Sequence, residues 1–406
     1  MKNILVVLHM CPYPLTTGGN QAVINGIKAL SKHNNVVLLF PSNRKNSNSK
    51  RIKELEKALS VEVETFTPKI FNSKVTAYKY LSDKIMFYLL HKNKDYMIER
   101  EMNLCNNIIT DEFINYMYNI IDNKHIDVVQ IEFVPFLSLV NALEGKNVTK
   151  VFVHHELRFI RNKLILSKIR HAKNYFTYLF EKLKNEEISL LNKFDAIITL
   201  SEIDAKKLKQ NGVIIPIFPS FAIVSSHTQS WVYAKYRLTF LGPGMHNPNF
   251  QGLKWFIDNV WERITKTDDK YSLDIIGKWS KEQIEELGCH DKINYLGFVD
   301  NLGDVLKGSI MIVPITIGSG IRMKILEAAQ YKIPIITTTI GCEGLPLKDN
   351  ENCFIADTPV DFANKIFEIG KRDLQERLVN NAYKTIIKNY SLNALIVSRD
   401  KILESI

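Results

Sequence analysis

An apolar run, Ile4-Leu5-Val6-Val7-Leu8, leads into a loop ending in Gly18-Gly19. Helical spacing follows at Ala22, Ile24, Ile27 and Leu30, and then a second apolar run over Asn35–Phe40. A strand, a glycine-bearing loop, a helix and a strand make a βαβ unit, which commits the chain to a parallel sheet with helices packed on it. Further strands are expected at Asp127–Ile131, Lys150–His154 and Asp195–Leu200. Val213–Tyr236 carries Pro216, Pro219, Ser220, Ser225 and Ser226 with no period, and reads as a connection. A second alternating series is expected at Arg237–Leu241, Tyr271–Ile276, Lys292–Tyr295, Ser309–Pro314 and Ile333–Thr337. The expected fold is therefore α/β, with two doubly wound Rossmann-like domains at 1–215 and 237–388 and a linker at 216–236. Ligands are expected outside the carboxyl ends of the strands, in a cleft between the domains.

Length and composition agree with this reading. A chain of 406 residues is too long for one ordinary domain. A hydrophobic share of 46% with 24% charged residues argues against a disordered chain or a coiled coil. No apolar run approaches the ~20 residues of a membrane helix. The start lacks a small-residue cleavage site and meets Pro12 and Pro14 at once, so a buried first strand is expected rather than a signal peptide. Five scattered cysteines (Cys11, Cys105, Cys289, Cys342, Cys353) without a C-x-x-C pair fit a reducing cytoplasm, and argue against a disulfide framework or a structural zinc.

Charge is unevenly placed. Residues 1–215 hold 31 cations against 21 anions, whereas the remainder holds 22 of each. The stretch Arg158–Lys184 has eight Lys or Arg and one acid, Glu181, interleaved with Leu164, Ile165, Ile169, Tyr175, Phe176, Leu179 and Leu183. Such a basic amphipathic helix suits an anionic membrane surface or a lipid-diphosphate acceptor. A solvated helix face in a lysine-rich chain is the plain alternative. Nucleic acid is not expected, because no recognised binding module accompanies the charge.

The densest chemistry lies at Val313–Ala329, where an apolar strand runs into Gly318-Ser319-Gly320 and then into a helix bearing Arg322, Lys324 and Glu327. Free N–H groups and the dipole at a helix start form an anion site, and cations in that first turn oppose the dipole unless an anion is bound. Met323 replaces the third glycine of G-x-G-x-x-G, and no P-loop occurs, so dinucleotide and P-loop readings are weak. No D-x-D triplet is present, and His154-His155-Glu156 lacks a nearby third zinc ligand. His246 and His290 read as ordinary loop residues.

The run "GSGIRMKILEAAQYKIPIITTTIGCEGLP" resembles the donor-site region of family 4 glycosyltransferases, which have the GT-B fold. So do "LTFLGPGMHNPNFQGLKWF", "LDIIGKWS" and "INYLGFVDNLGDVLKGS", together covering about 237–346. More loosely, "PYPLTTGG", "VFVHHELRFIR" and "FDAIITLSEIDAKKL" resemble segments of the first domain, and 389–406 resembles a closing helix that returns to it. The resemblance implies metal-independent, retaining transfer from a nucleotide sugar, UDP- or GDP-linked, to a glycan or lipid-linked acceptor in cell-surface polysaccharide synthesis. It implies a cytoplasmic protein, lying peripherally on the membrane, with no cofactor. Glu327 matches the acid that holds the donor ribose; Arg322 and Lys324 lie at the diphosphate; Gly242, Gly318 and Gly320 border the donor. The backbone at Phe298 and Val299 meets the base. Gly18 and Gly19 close over phosphate and sugar, and His155, less so His154, stands near the sugar. Ser319 occupies the place of an acid eight residues before Glu327, and Gly244-Met245-His246-Asn247 replaces the usual Arg and Lys. Those two departures keep open a non-catalytic subunit binding a glycosylated or protein partner. A nucleotide-sugar epimerase of the same architecture is the other alternative.

Overall fold

The computed structural model describes residues 1–13, 18–42, 49–67, 85–86, 89–90, 93–102, 104, 109–167, 169, 172–221, 230–318 and 321–406. The chain forms two compact units, Met1–Ala222 with Leu395–Ile406, and Ile223–Ala394.

The first unit is built on a seven-stranded parallel sheet. Its strands are β1 (Asn3–Val7), β2 (Asn35–Pro41), β3 (Glu62–Phe66), β4 (Val128–Glu132), β5 (Thr149–His154), β6 (Ala196–Thr199) and β7 (Ile217–Pro219), in the order 3-2-1-4-5-6-7. The apolar runs are continuous because both faces are covered. Leu5, Val7, Leu39, Val129 and Ile131 pack with Phe113, Met117 and Ile120 of the helix Asp111–Asn123 on one face. On the other, Ile4, Val6, Val36 and Leu38 meet Val23 and Ile27 of the helix Gly18–Leu30. Ile402 and Leu403 of the closing helix Leu392–Ser405 join that second cluster. Lys2 Nζ donates to the Leu403 and Ile406 carbonyls at 2.6 and 3.3 Å, where a cation is favoured at a helix end.

The second unit has six parallel strands, β8 (Arg237–Leu241), β9 (Ser272–Ile276), β10 (Ile293–Gly297), β11 (Ile310–Val313), β12 (Ile335–Thr337) and β13 (Phe354–Ile355), in the order 10-9-8-11-12-13. The two doubly wound sheets expected from the alternation are present.

Three local expectations change. Ile217–Pro219, inside the expected linker, is strand β7, because Ile217 pairs with Ile197 and Pro219 with Thr199 on a sheet edge that tolerates proline. Gly18 and Gly19 open the helix Gly18–Leu30 instead of lying in a loop, and residues 14–17 before them fall outside the described residues. The basic stretch is two helices, Arg158–Ser167 and Lys173–Leu191, with residues 168, 170 and 171 outside the described set. Phe176, Phe180 and Leu183 of the second helix are buried, while Tyr175 and Tyr178 are exposed. No described helix is long and apolar enough to cross a membrane.

Candidate functional site

In each sheet the strand order reverses at one place, between β1 and β4 and between β8 and β11. Ligands of open parallel sheets bind outside the carboxyl ends at such switch points. In the second unit those ends are Gly242 and the run Pro314–Gly318. Gly242 has φ +142°, and a Cβ there would lie 2.9 Å from Asn249 Cγ, closer still to its Nδ2, and 3.0 Å from Lys324 Nζ. Buried Asn249 donates to the Pro243 carbonyl at 3.0 Å and accepts from Lys324 Nζ at 2.8 Å. The same ammonium lies 4.3 Å from the centre of the Phe240 ring.

Lys324 is carried by the helix Met323–Gln330, whose Ile325, Leu326, Ala328 and Ala329 are buried. Arg322 does not sit in its first turn as the spacing predicts. It is the extended residue before it, φ −86° and ψ 98°, so only Lys324 directly opposes the dipole. The Arg322 side chain is buried, and its Nη2 lies 3.3 Å from the place of a Cβ on Gly318, where φ is +105°. Glycine at 318 lets the guanidinium approach the strand end. Ser319 and Gly320 fall outside the described residues.

These groups shift one another. Burial, then the Arg322 charge, pulls the Lys324 ammonium down to about 7, against a smaller pull upward from Glu327. Burial pushes the Glu327 carboxyl up to about 7, opposed by Lys324. Burial lowers Arg322, with Glu343 as the opposing charge. His246 is lowered by burial and by Lys324 and Arg322, against a bond to Asn249. His246, read from sequence as an ordinary loop residue, therefore stands beside the cations. Nothing in the sequence pattern marks Asn249 or Glu343. A multiply charged anion beside this cluster would restore full charge to Lys324.

Neighbouring loops are tied to this edge. Trp279 Nε1 donates to the Gly242 carbonyl at 3.0 Å, and Gly277 N donates to the Gly297 carbonyl at 2.8 Å. Phe298 follows β10 with 74% of its surface exposed, and Val299 is half-buried.

In the first unit the switch point brings together His9, Glu132, Phe133 and His155. His155 Nε2 bonds Glu132 Oε2 at 2.5 Å, and its ring stacks on Phe133 at 4.0 Å. His9 meets the same Phe133 ring edge-on at 5.1 Å. Burial first, then the His155 and Arg158 charges, hold His9 down to about 4, so it stays neutral. His154 is different. Its Nε2 bonds buried Glu187 at 3.1 Å, and Glu187 also accepts the Phe159 N–H at 3.1 Å, anchoring the turn into the helix Arg158–Ser167. Among the described residues no cluster of His, Cys, Asp and Glu could hold a metal.

Residues 235–371 match the family described as Glycosyl transferases group 1. A curated relative, an uncharacterized 44.6 kDa protein in the cps region of Klebsiella pneumoniae, is 23% identical over 411 residues, covering 96% of this chain and 97% of its own. Among solved structures, a mutant of S. aureus TarM in complex with fondaparinux, alpha-GlcNAc-glycerol and UDP aligns with a TM-score of 0.66 at 14% identity over 99% of both chains. Anabaena Alr3699/HepE in complex with UDP and glucose gives 0.65 at 13% over the whole of both. Sucrose-phosphate synthase of Thermosynechococcus elongatus gives 0.65 at 12% over 100% and 99%. With two doubly wound parallel sheets aligned over their full length to these structures, the chain has the GT-B fold, and residues 235–371 of its second unit match the group 1 glycosyl transferase family.

Proposed function

We propose that this protein moves a sugar from a UDP-sugar to a glycan or lipid-linked acceptor in cell-surface polysaccharide synthesis, with retention of configuration and no metal. The observation that carries it is Lys324, locked by Asn249 at the head of the helix Met323–Gln330, with Arg322 beside it and Glu327 one turn on. A donor diphosphate supplies the negative charge that this cluster lacks. Arg322 and Lys324 then take over the role of a divalent cation. Glu327 accepts the ribose hydroxyls, the backbone at Phe298 and Val299 meets the base, and Gly242, Gly318 and Gly320 admit the donor to the backbone. His155, Ser319 and the helix start at Gly18 and Gly19 serve the sugar. UDP in TarM and HepE supports the base, and the cps-region relative supports the pathway class. The basic helices of the first unit, with exposed Tyr175 and Tyr178, face the acceptor at the cytoplasmic side of the membrane.

A thermal-shift series with UDP-, GDP-, ADP-, CMP- and dTDP-sugars tests the donor. A ligand at ~100 Kd should add ~2.7 kcal/mol of stability, and the UDP-sugars should give the largest shift. Glu327→Gln should weaken nucleotide binding about 10-fold or more, from the ~1.5–3 kcal/mol of bonds to a charged acceptor. An unchanged Kd in calorimetry removes Glu327 from the site.

The acceptor side has its own test. The protein should sediment with anionic vesicles and be released by salt, as the Debye length shrinks from ~10 Å at 0.1 M to ~3 Å at 1 M. Equal binding to neutral vesicles, or none to either, would discard the membrane contact.

A further inference from the structure

The carboxylate of Glu132 is almost wholly buried, at 1% exposure, at the carboxyl end of β4. A buried acid needs partners, and this one accepts from Gln130 Nε2 at 2.6 Å as well as from His155 Nε2. In its neutral form the His155 ring is thereby held as the Nε2–H tautomer. Its Nδ1 is left as a bare acceptor, buried and without a hydrogen-bond partner among the described residues. The stacked Phe133 adopts φ +69°, a left-handed conformation that a bulky residue rarely adopts and that persists only where its surroundings impose it. Backbone, ring and carboxylate together fix the imidazole.

We propose that Glu132 is the positioning residue for His155. This deepens the transferase reading and rests on it for the part concerning turnover.

One readout is independent of activity. In protein labelled with 15N-histidine, and assigned by comparison with His155→Gln, the neutral His155 ring should show Nε2 protonated and Nδ1 bare. Glu132→Gln should keep that tautomer, because the amide oxygen accepts the same proton, whereas Glu132→Leu should give a mixture. Nitrogen shifts in Glu132→Leu that match the wild type overturn the positioning role.

For turnover of the UDP-sugar, Glu132→Leu should lower kcat at least 10-fold and leave nucleotide Kd within 2-fold, and Glu132→Gln, which keeps the tautomer, should recover most of that loss. A wild-type kcat in Glu132→Leu, or a loss in Glu132→Gln as large as that in Glu132→Leu, overturns the proposal. If the wild type turned over no nucleotide sugar, the functional reading would fall, while the nitrogen shifts would still decide the proposal.

Discussion

The affinity of the second unit for a nucleotide sugar should pass through a maximum near pH 7 and fall on both sides. Lys324, held down to about 7 in the free protein, must be charged to meet a diphosphate. Above pH 7 binding therefore takes up a proton, and affinity drops by up to ~10-fold per pH unit. Glu327, pushed up to about 7, must be ionised to accept two hydroxyls. Below pH 7 binding therefore releases a proton, and affinity drops as pH falls. The diphosphate of a nucleotide sugar has no group titrating in this window. Calorimetry in buffers of different ionisation enthalpy reads the proton directly, with uptake expected at pH 8.5 and release at pH 5.5. The free protein should show the mirror image. Glu327 is raised on folding, so its contribution is present below about 4.5 and is lost as pH rises through about 7. Lys324 is depressed, so its contribution is present above about 10.5 and is lost as pH falls through about 7. Apo stability should thus dip near neutrality, where the ligand helps most. Lys324→Met should abolish the proton uptake at pH 8.5; persistence of the uptake would remove Lys324 from the diphosphate.

Gly242→Ala should be among the most damaging single changes in the second unit. Its φ of +142° disfavours any side chain, and the new methyl would run into Asn249 and Lys324. Asn249 is bonded on both sides, so it can yield only by giving up its bonds to Pro243 and Lys324. Backbone strain and two lost buried bonds together should cost ~3–5 kcal/mol. Diphosphate binding should weaken too, since Lys324 loses its anchor. The steric cause has its own signature: Gly242→Ala/Asn249→Ala should melt above Gly242→Ala, because removing the Asn249 amide frees the space. A double variant less stable than both singles would exclude the clash. Gly277→Ala makes a useful comparison. There the methyl would meet the Gly242 carbonyl oxygen at 2.6 Å, so the backbone itself must move, and no side-chain deletion should rescue it.

The alternation of apolar runs and helical spacing determined the two parallel sheets, because the periods of strands and helices are local and repeat within a few residues. Arg237–Leu241 is legible to the residue for that reason. β3 lies outside the expected strands because it has no continuous apolar run: Val61-Glu62-Val63-Glu64-Thr65-Phe66 alternates with two acids, as a strand at the sheet edge can. In the folded chain Lys124 covers Glu62 and Glu64 at that edge, at 2.5 and 3.6 Å. β13 has two residues, too short to carry a period. At the candidate site, Gly318, Arg322, Lys324 and Glu327 share one short stretch of sequence, so their types and spacing marked them. Asn249 precedes Lys324 by 75 residues and meets it only because β8 and β11 are neighbours at the reversal of strand order. Glu132 likewise reaches His155 across 23 residues through the pairing of β4 with β5. The charge states of Lys324 and Glu327 were also beyond the pattern. They follow from loss of water around each group and from the field of the others, and both depend on which distant segments close over them.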